Sequence, residues 1–138
     1  MKIQMKIQMK IQMKIQMKIQ MKMYQVGPEL PYDLDENDER FEWVVIWYEQ
    51  DGYDGSGEAI GLCKQDGLLY IKNLSHCSCY GPMDGGLLES GDKVTIEDFM
   101  RQKENVHDYD AMEETKKKVI ELLQCVAPVF TEKFNYLG

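Results

Sequence analysis

Hydrophobic and polar residues alternate without a break over the first 22 positions. Met or Ile takes every odd position from 1 to 21, and Lys or Gln every even one, as five copies of Met-Lys-Ile-Gln and the start of a sixth. Period-2 alternation predicts a strand with one apolar and one polar face. Wound as an α-helix, residues two apart would sit about 200° around the axis, and no apolar stripe would form. A straight 22-residue strand would span roughly 70 Å, against about 35 Å for a body of this size. The repeat holds no Gly, Pro, Asn or Asp to specify a turn. It is therefore expected either to remain an extended basic tail or to pair with another chain, in a register its uniformity leaves loose. A lysine at every fourth position interrupts any apolar run, which excludes a membrane span and a signal peptide within it.

Beyond the repeat the pattern changes. Gly27-Pro-Glu-Leu-Pro31 reads as an extended linker, and Asp33 to Arg40 as an acidic, solvated loop. Asp33, Asp35 and Asn37 have the spacing of a calcium loop. However, Asp38 stands where that loop needs Gly, and Val44 where it needs Glu. Phe41-Glu-Trp-Val-Val-Ile-Trp-Tyr-Glu49 predicts a central strand buried on both faces. Asp51 to Gly57 reads as a glycine-dense turn, Glu58 to Cys63 as a returning strand, and Gln65-Asp-Gly67 as a second turn. Leu68 to Leu74 would be a third strand in an antiparallel meander.

The second half predicts helices. Thr95 can cap a helix, with Asp98 in the reciprocal position and Val94 stapled on Phe99. Asp110 and Glu113 repeat that pattern before a longer helix carrying Met112, Val119, Leu122, Leu123 and Val126 on one face. Pro128 would end it, and Val129, Phe130, Phe134, Tyr136 and Leu137 could dock a final segment. The expected fold is α+β: a small antiparallel three- to four-stranded sheet packed by two or three helices, with an extended N-terminal arm. The expected divisions are a repeat arm at 1–22, an acidic linker at 23–40 and a folded domain at 41–138.

Charge sharpens this division. Residues 1–22 carry six lysines and no acid, whereas residues 23–138 hold 10 Lys+Arg against 24 Asp+Glu, so a +6 arm joins a −14 body. Such acidity disfavours direct nucleic-acid binding, which needs Lys and Arg on phosphates, and favours a basic protein partner. The body has enough residues for one core, and its two Trp, eight Tyr and four Phe can build it. Four cysteines without a secretory signal point to a reducing, cytoplasmic setting.

The densest chemistry lies in His76-Cys-Ser-Cys-Tyr-Gly-Pro82. Cys63, His76, Cys77 and Cys79 offer four zinc-ligand types, although Cys-x-Cys is a tight spacing for structural zinc. The same residues could instead be packing and turn residues, or include a reactive thiol. A Cys–His pair needs the imidazole within reach of the sulfur. Neighbouring residues on a strand point to opposite faces, which counts against His76 with Cys77. No phosphate loop, nucleophile elbow or histidine-rich motif is present, so no cofactor is expected apart from the zinc alternative.

Two segments about twenty residues apart, Tyr53-Asp-Gly-Ser-Gly-Glu-Ala59 and His76-Cys-Ser-Cys-Tyr-Gly-Pro82, resemble a group of small uncharacterised proteins encoded by bacteriophages. The likeness covers residues 41–110 and not the repeat. It implies a phage accessory protein made in a bacterial cytoplasm, without an activity to carry over. The leading expectation is a non-enzymatic acidic protein that binds a host or defence protein, as a possible DNA mimic. Asp51, Tyr53, Asp54, Ser56 and Tyr80 are the candidate contacts. The alternatives are self-association through residues 1–22, and a zinc- or thiol-dependent protein centred on the His76–Cys79 segment.

Overall fold

The computed structural model describes residues 22–101 and 113–126. Five strands form one sheet in the order β1-β2-β3-β4-β5: β1 (Lys22–Gln25), β2 (Phe41–Asp51), β3 (Asp54–Cys63), β4 (Leu69–Asn73) and β5 (Asp92–Val94). Three helices accompany it: α1 (Leu87–Ser90), α2 (Ile96–Arg101) and α3 (Glu113–Val126). The class is α+β, as the pattern predicts. The sheet differs from the expected meander in two ways. It has five strands, and it is mixed, because β1 lies parallel to β2 while the other three pairings are antiparallel. Both added strands are short edge strands, with too few residues to show a periodicity of their own.

β2 is the central strand. Val44, Val45, Ile46 and Tyr48 are almost fully buried, on alternating faces of the sheet. Its alternation is broken once. Phe41 pairs with Cys63 and Trp43 with Leu62, so Glu42 is an extra residue, a β-bulge that bends the strand. The bulge leaves Phe41 on the face of Val44, Ile46 and Tyr48, while Trp43 joins Val45 on the other face. Gly61 on β3 makes room for Phe41, whose ring a Cβ there would strike.

The hairpin between β2 and β3 needs only Gly52 and Tyr53. Gly52 has φ +63°, the Gly-first arrangement of a type II′ turn that preserves strand twist. The glycine-dense segment expected as a turn over 51–57 is therefore mostly strand, since pairing resumes at Asp54. The second predicted turn holds as expected. Asp66 accepts bonds from the Leu68 amide (2.9 Å) and the Tyr70 hydroxyl (2.5 Å), and Gly67 has φ +71°.

The two faces of the sheet are covered differently. On one, Phe99 and Met100 of α2 and Val119 and Leu123 of α3 pack over Trp43, Val45, Ile60, Leu62, Leu69 and Ile71. Thr95 caps α2 as predicted, its hydroxyl accepting the Asp98 amide at 3.0 Å. Thr115 of α3, fully buried, donates to the buried Glu58 carboxylate at 3.0 Å and ties the helix to β3. The other face is covered by Leu34 and Met83 of irregular chain and by Leu87 and Leu88 of the short α1. The expected linker at 23–40 is thus part of the domain. Glu29 bridges to Tyr48, the Asp33 carboxylate accepts the Met83 amide, and Arg40 pairs with Glu89.

Residues 1–21 of the repeat arm, the Asp110 cap, Met112 and the segment after Val126 lie outside the described residues. Among the described residues, no helix is long and apolar enough to cross a membrane.

Candidate functional site

The site lies at the end of the sheet formed by the β2–β3 hairpin. Beyond β4 the chain runs on along β3 in the same register: the Leu74 amide donates to the Gly57 carbonyl at 2.8 Å. Gly55 and His76 exchange two backbone bonds at 3.0 and 3.2 Å. His76 is buried, its ring stacked on Tyr48 with centroids 5.8 Å apart, and the Tyr32 ring meets its edge at 6.2 Å. Only glycine fits at position 55, where a Cβ would collide with the Tyr48 hydroxyl and with His76 Nε2.

Both imidazole nitrogens are engaged. Nδ1 lies 2.9 Å from the Cys77 carbonyl, which can only accept, so Nδ1 carries a hydrogen. Nε2 is 2.5 Å from the Tyr48 hydroxyl, and Gln50 Oε1 is 3.1 Å from the same hydroxyl. The Tyr48 hydroxyl thus lies between Nε2 and the Gln50 carbonyl oxygen, to which it donates. Burial, reinforced by Tyr32, Glu29 and Asp33, raises the Tyr48 phenol and keeps it a donor. The imidazole is therefore a clamp that holds the 76–82 segment on the hairpin.

Outside this clamp the surface is acidic and aromatic. Glu49, Gln50, Asp51, Asp54, Gly55 and Ser56 line an open groove of about 380 Å³. Among the described residues, Glu49, Asp51 and Asp54 form no salt bridge. Among the described residues, the large hydrophobic side chains left exposed are all tyrosines: Tyr32 at 68%, Tyr53 at 83% and Tyr80 at 48%. Tyr53 tips the hairpin, Tyr32 meets the buried histidine, and Tyr80 follows it four residues on. The expected contacts Asp51, Tyr53, Asp54 and Ser56 thus share the hairpin tip. Tyr80 is exposed on the segment clamped beside it.

The four expected zinc ligands do not converge. Cys63 is buried at the far end of β3, against Phe41, while His76 pairs with Gly55. Eight residues of strand separate those positions, roughly 26 Å against a zinc–sulfur bond of about 2.3 Å. The His76 nitrogens already bond Tyr48 and the Cys77 carbonyl. No group of three or more His, Cys, Asp or Glu residues suited to a metal occurs among the described residues. Cys77 and Cys79 do meet, the Cys79 amide donating to Cys77 Sγ at 3.4 Å.

Tyr48, Tyr32, Glu49 and Gln50 were not singled out from the sequence. Their roles depend on pairings distant in the chain. Gly55, whose crowding only the fold shows, was the available signal. A second cavity of about 250 Å³ lies at the opposite end of β2, between an apolar floor of Leu34, Phe41, Met83 and Leu87 and the carboxylates of Asp38 and Glu89. Arg40 closes it. Nε and Nη2 reach Asp38 at 2.8 and 2.7 Å, and Nη1 reaches Glu89 at 2.6 Å. Arg40 holds both carboxyls below their ordinary values. Comparison of the chain with protein-family models, curated proteins and solved structures finds no match.

Proposed function

We propose that this chain is a non-enzymatic binding protein whose hairpin tip receives a basic surface of a partner protein. The observation that carries the reading is the exposed Tyr53 at the hairpin tip, beside the groove of Glu49, Asp51 and Asp54, carboxylates that form no ion pair among the described residues. Tyrosine supplies wide, rigid, amphipathic contact area at small entropic cost, and its face attracts Lys and Arg. The surrounding carboxylates steer a basic partner and fix its orientation. The Tyr48–His76 clamp supports this use, because it holds two chain segments in one preformed surface. On a DNA-binding partner, Asp51 and Asp54 would stand where phosphates otherwise bind. The phage resemblance suggests a bacterial host or defence protein as the partner.

The test is affinity capture from bacterial lysate with the full chain, followed by binding measurements on the purified partner. A basic partner is expected, with affinity that falls as salt rises and drops by about tenfold or more in the combined Tyr53→Ala, Asp51→Asn, Asp54→Asn variant. No basic partner, or one bound equally by the variant, would overturn the reading.

A second reading, assembly through the arm, is favoured by one observation. β1 lies at the sheet edge, so the repeat leads directly into an edge strand. Sedimentation of the full chain against one lacking residues 1–21 tests it, and an identical monomer in both would end it.

A further inference from the structure

We propose that Cys77 and Cys79 form a redox-responsive thiol pair on the hairpin-tip face, oxidised stoichiometrically by low-molecular-weight disulfides. The two sulfurs belong to one short turn. The Cys79 amide points at Cys77 Sγ from 3.4 Å, Cys77 is half-buried and Cys79 is exposed. Residues two apart fall within the Cα separation that a disulfide spans. The turn is also anchored, because the Cys77 carbonyl is bonded to His76 Nδ1, and His76 is itself paired to Gly55.

The two thiols are unequal. Hydrogen bonds from the Cys79 amide and then the Cys79 thiol lower Cys77, against the opposing charge of Asp54, while Cys77 in turn raises Cys79. Cys77 is thus the better thiolate and Cys79 the resolving thiol. The other two cysteines lack this arrangement: Cys63 is buried in the core, and Cys125 is exposed on α3.

The exchange balances in two steps. The Cys77 thiolate attacks one sulfur of RS–SR, forming Cys77–S–S–R and releasing RS⁻, which takes up a proton. The Cys79 thiol loses its proton to solvent and attacks Cys77 Sγ, closing the Cys77–Cys79 bond and releasing the second RS⁻. The dithiol is oxidised by two electrons and RS–SR is reduced to two RSH. A short, exposed ring of this kind is labile, so a reducing thiol pool reopens it.

The test treats the reduced full chain with glutathione disulfide, quenches it with acid, alkylates it with N-ethylmaleimide and maps the peptides by mass. Wild type is expected to lose two hydrogens in the peptide holding Cys77 and Cys79, with Cys125 still alkylated. Cys79→Ser should stop at a glutathione adduct on Cys77, and Cys77→Ser should react about tenfold more slowly than wild type. Lasting glutathione adducts in wild type without ring closure, or Cys77 reacting no faster than Cys125, would overturn the proposal. The wild-type mass map decides the matter even if a serine variant fails to fold.

Discussion

The two ends of the central strand put their acids to opposite uses. At the start of β2, Asp38 and Glu89 converge on Arg40, so the acids there are engaged in closing loop 31–40 over the sheet. At the other end, Glu49, Asp51 and Asp54 surround an open groove and form no salt bridge among the described residues. The body's charge of −14 conceals this difference. Acidity near a guanidinium is structure, whereas acidity beside exposed tyrosine is available to a partner. What holds the open end together is instead a buried contact between Tyr48 and His76, over a glycine.

The sharpest way to break the comparison is Gly55→Ala. A methyl group there would push apart Tyr48 and His76, with an expected loss of about 3 kcal/mol in denaturant unfolding. An unchanged midpoint would mean that the clamp does not hold the tip. Tyr48→Phe keeps the ring but removes the hydroxyl that meets Nε2. It should cost about 2 kcal/mol by the same measurement, because a buried imidazole nitrogen is left without its partner.

At the closed end, Arg40→Ala should cost about 1 kcal/mol, a modest figure because the guanidinium is partly exposed and screened. The same variant changes the acid response. Asp38 and Glu89 lie below their ordinary values when folded, so their contribution is present above those values. It is lost as pH falls through the lowered ones. Unfolding midpoints followed from neutral pH into acid should therefore fall more steeply in wild type than in Arg40→Ala.

Tyr70 offers the opposite sign. Its hydrogen bond to Asp66 pushes the phenol up to about 12 from 10.0, so that contribution is complete below pH 10.0 and fades as pH rises toward 12. Tyr70→Phe should flatten this alkaline loss. The smallest stability effect is expected for Asp51→Asn with Asp54→Asn, within about 0.5 kcal/mol, because these exposed groups form no salt bridge among the described residues. A larger loss would show that the tip acids, too, are structural.

Much of the fold was legible from local pattern. The run of β-branched and aromatic residues in β2, the Asp66-Gly67 turn, the Thr95 cap and the buried Val119–Leu123 pair of α3 follow from residues within a few positions of one another. β1 was not legible as a strand of this sheet, because a four-residue parallel edge is defined by the strand beside it. Nor was the irregular cover, whose acidic run reads as solvated until Asp33 meets Met83 and Arg40 meets Glu89. The candidate site divides in the same way. Asp51, Tyr53, Asp54, Ser56 and Tyr80 stand out in the sequence as neighbouring polar and aromatic residues. Tyr48 and Gly55 acquire meaning only when His76 arrives beside them.

By itself the sequence determined the α+β class, the position of the buried central strand, the two hairpins and the separation of a basic repeat from an acidic body. Those features depend on periodicity, turn chemistry and charge, which act over a few bonds or simply add up. Only the tertiary structure decided which acids are paired, that Cys63 stands a strand's length from His76, and that the bulge at Glu42 returns Phe41 to the second face. Each of those depends on strand register and on contacts across many residues, where one inserted residue changes the face that a side chain meets.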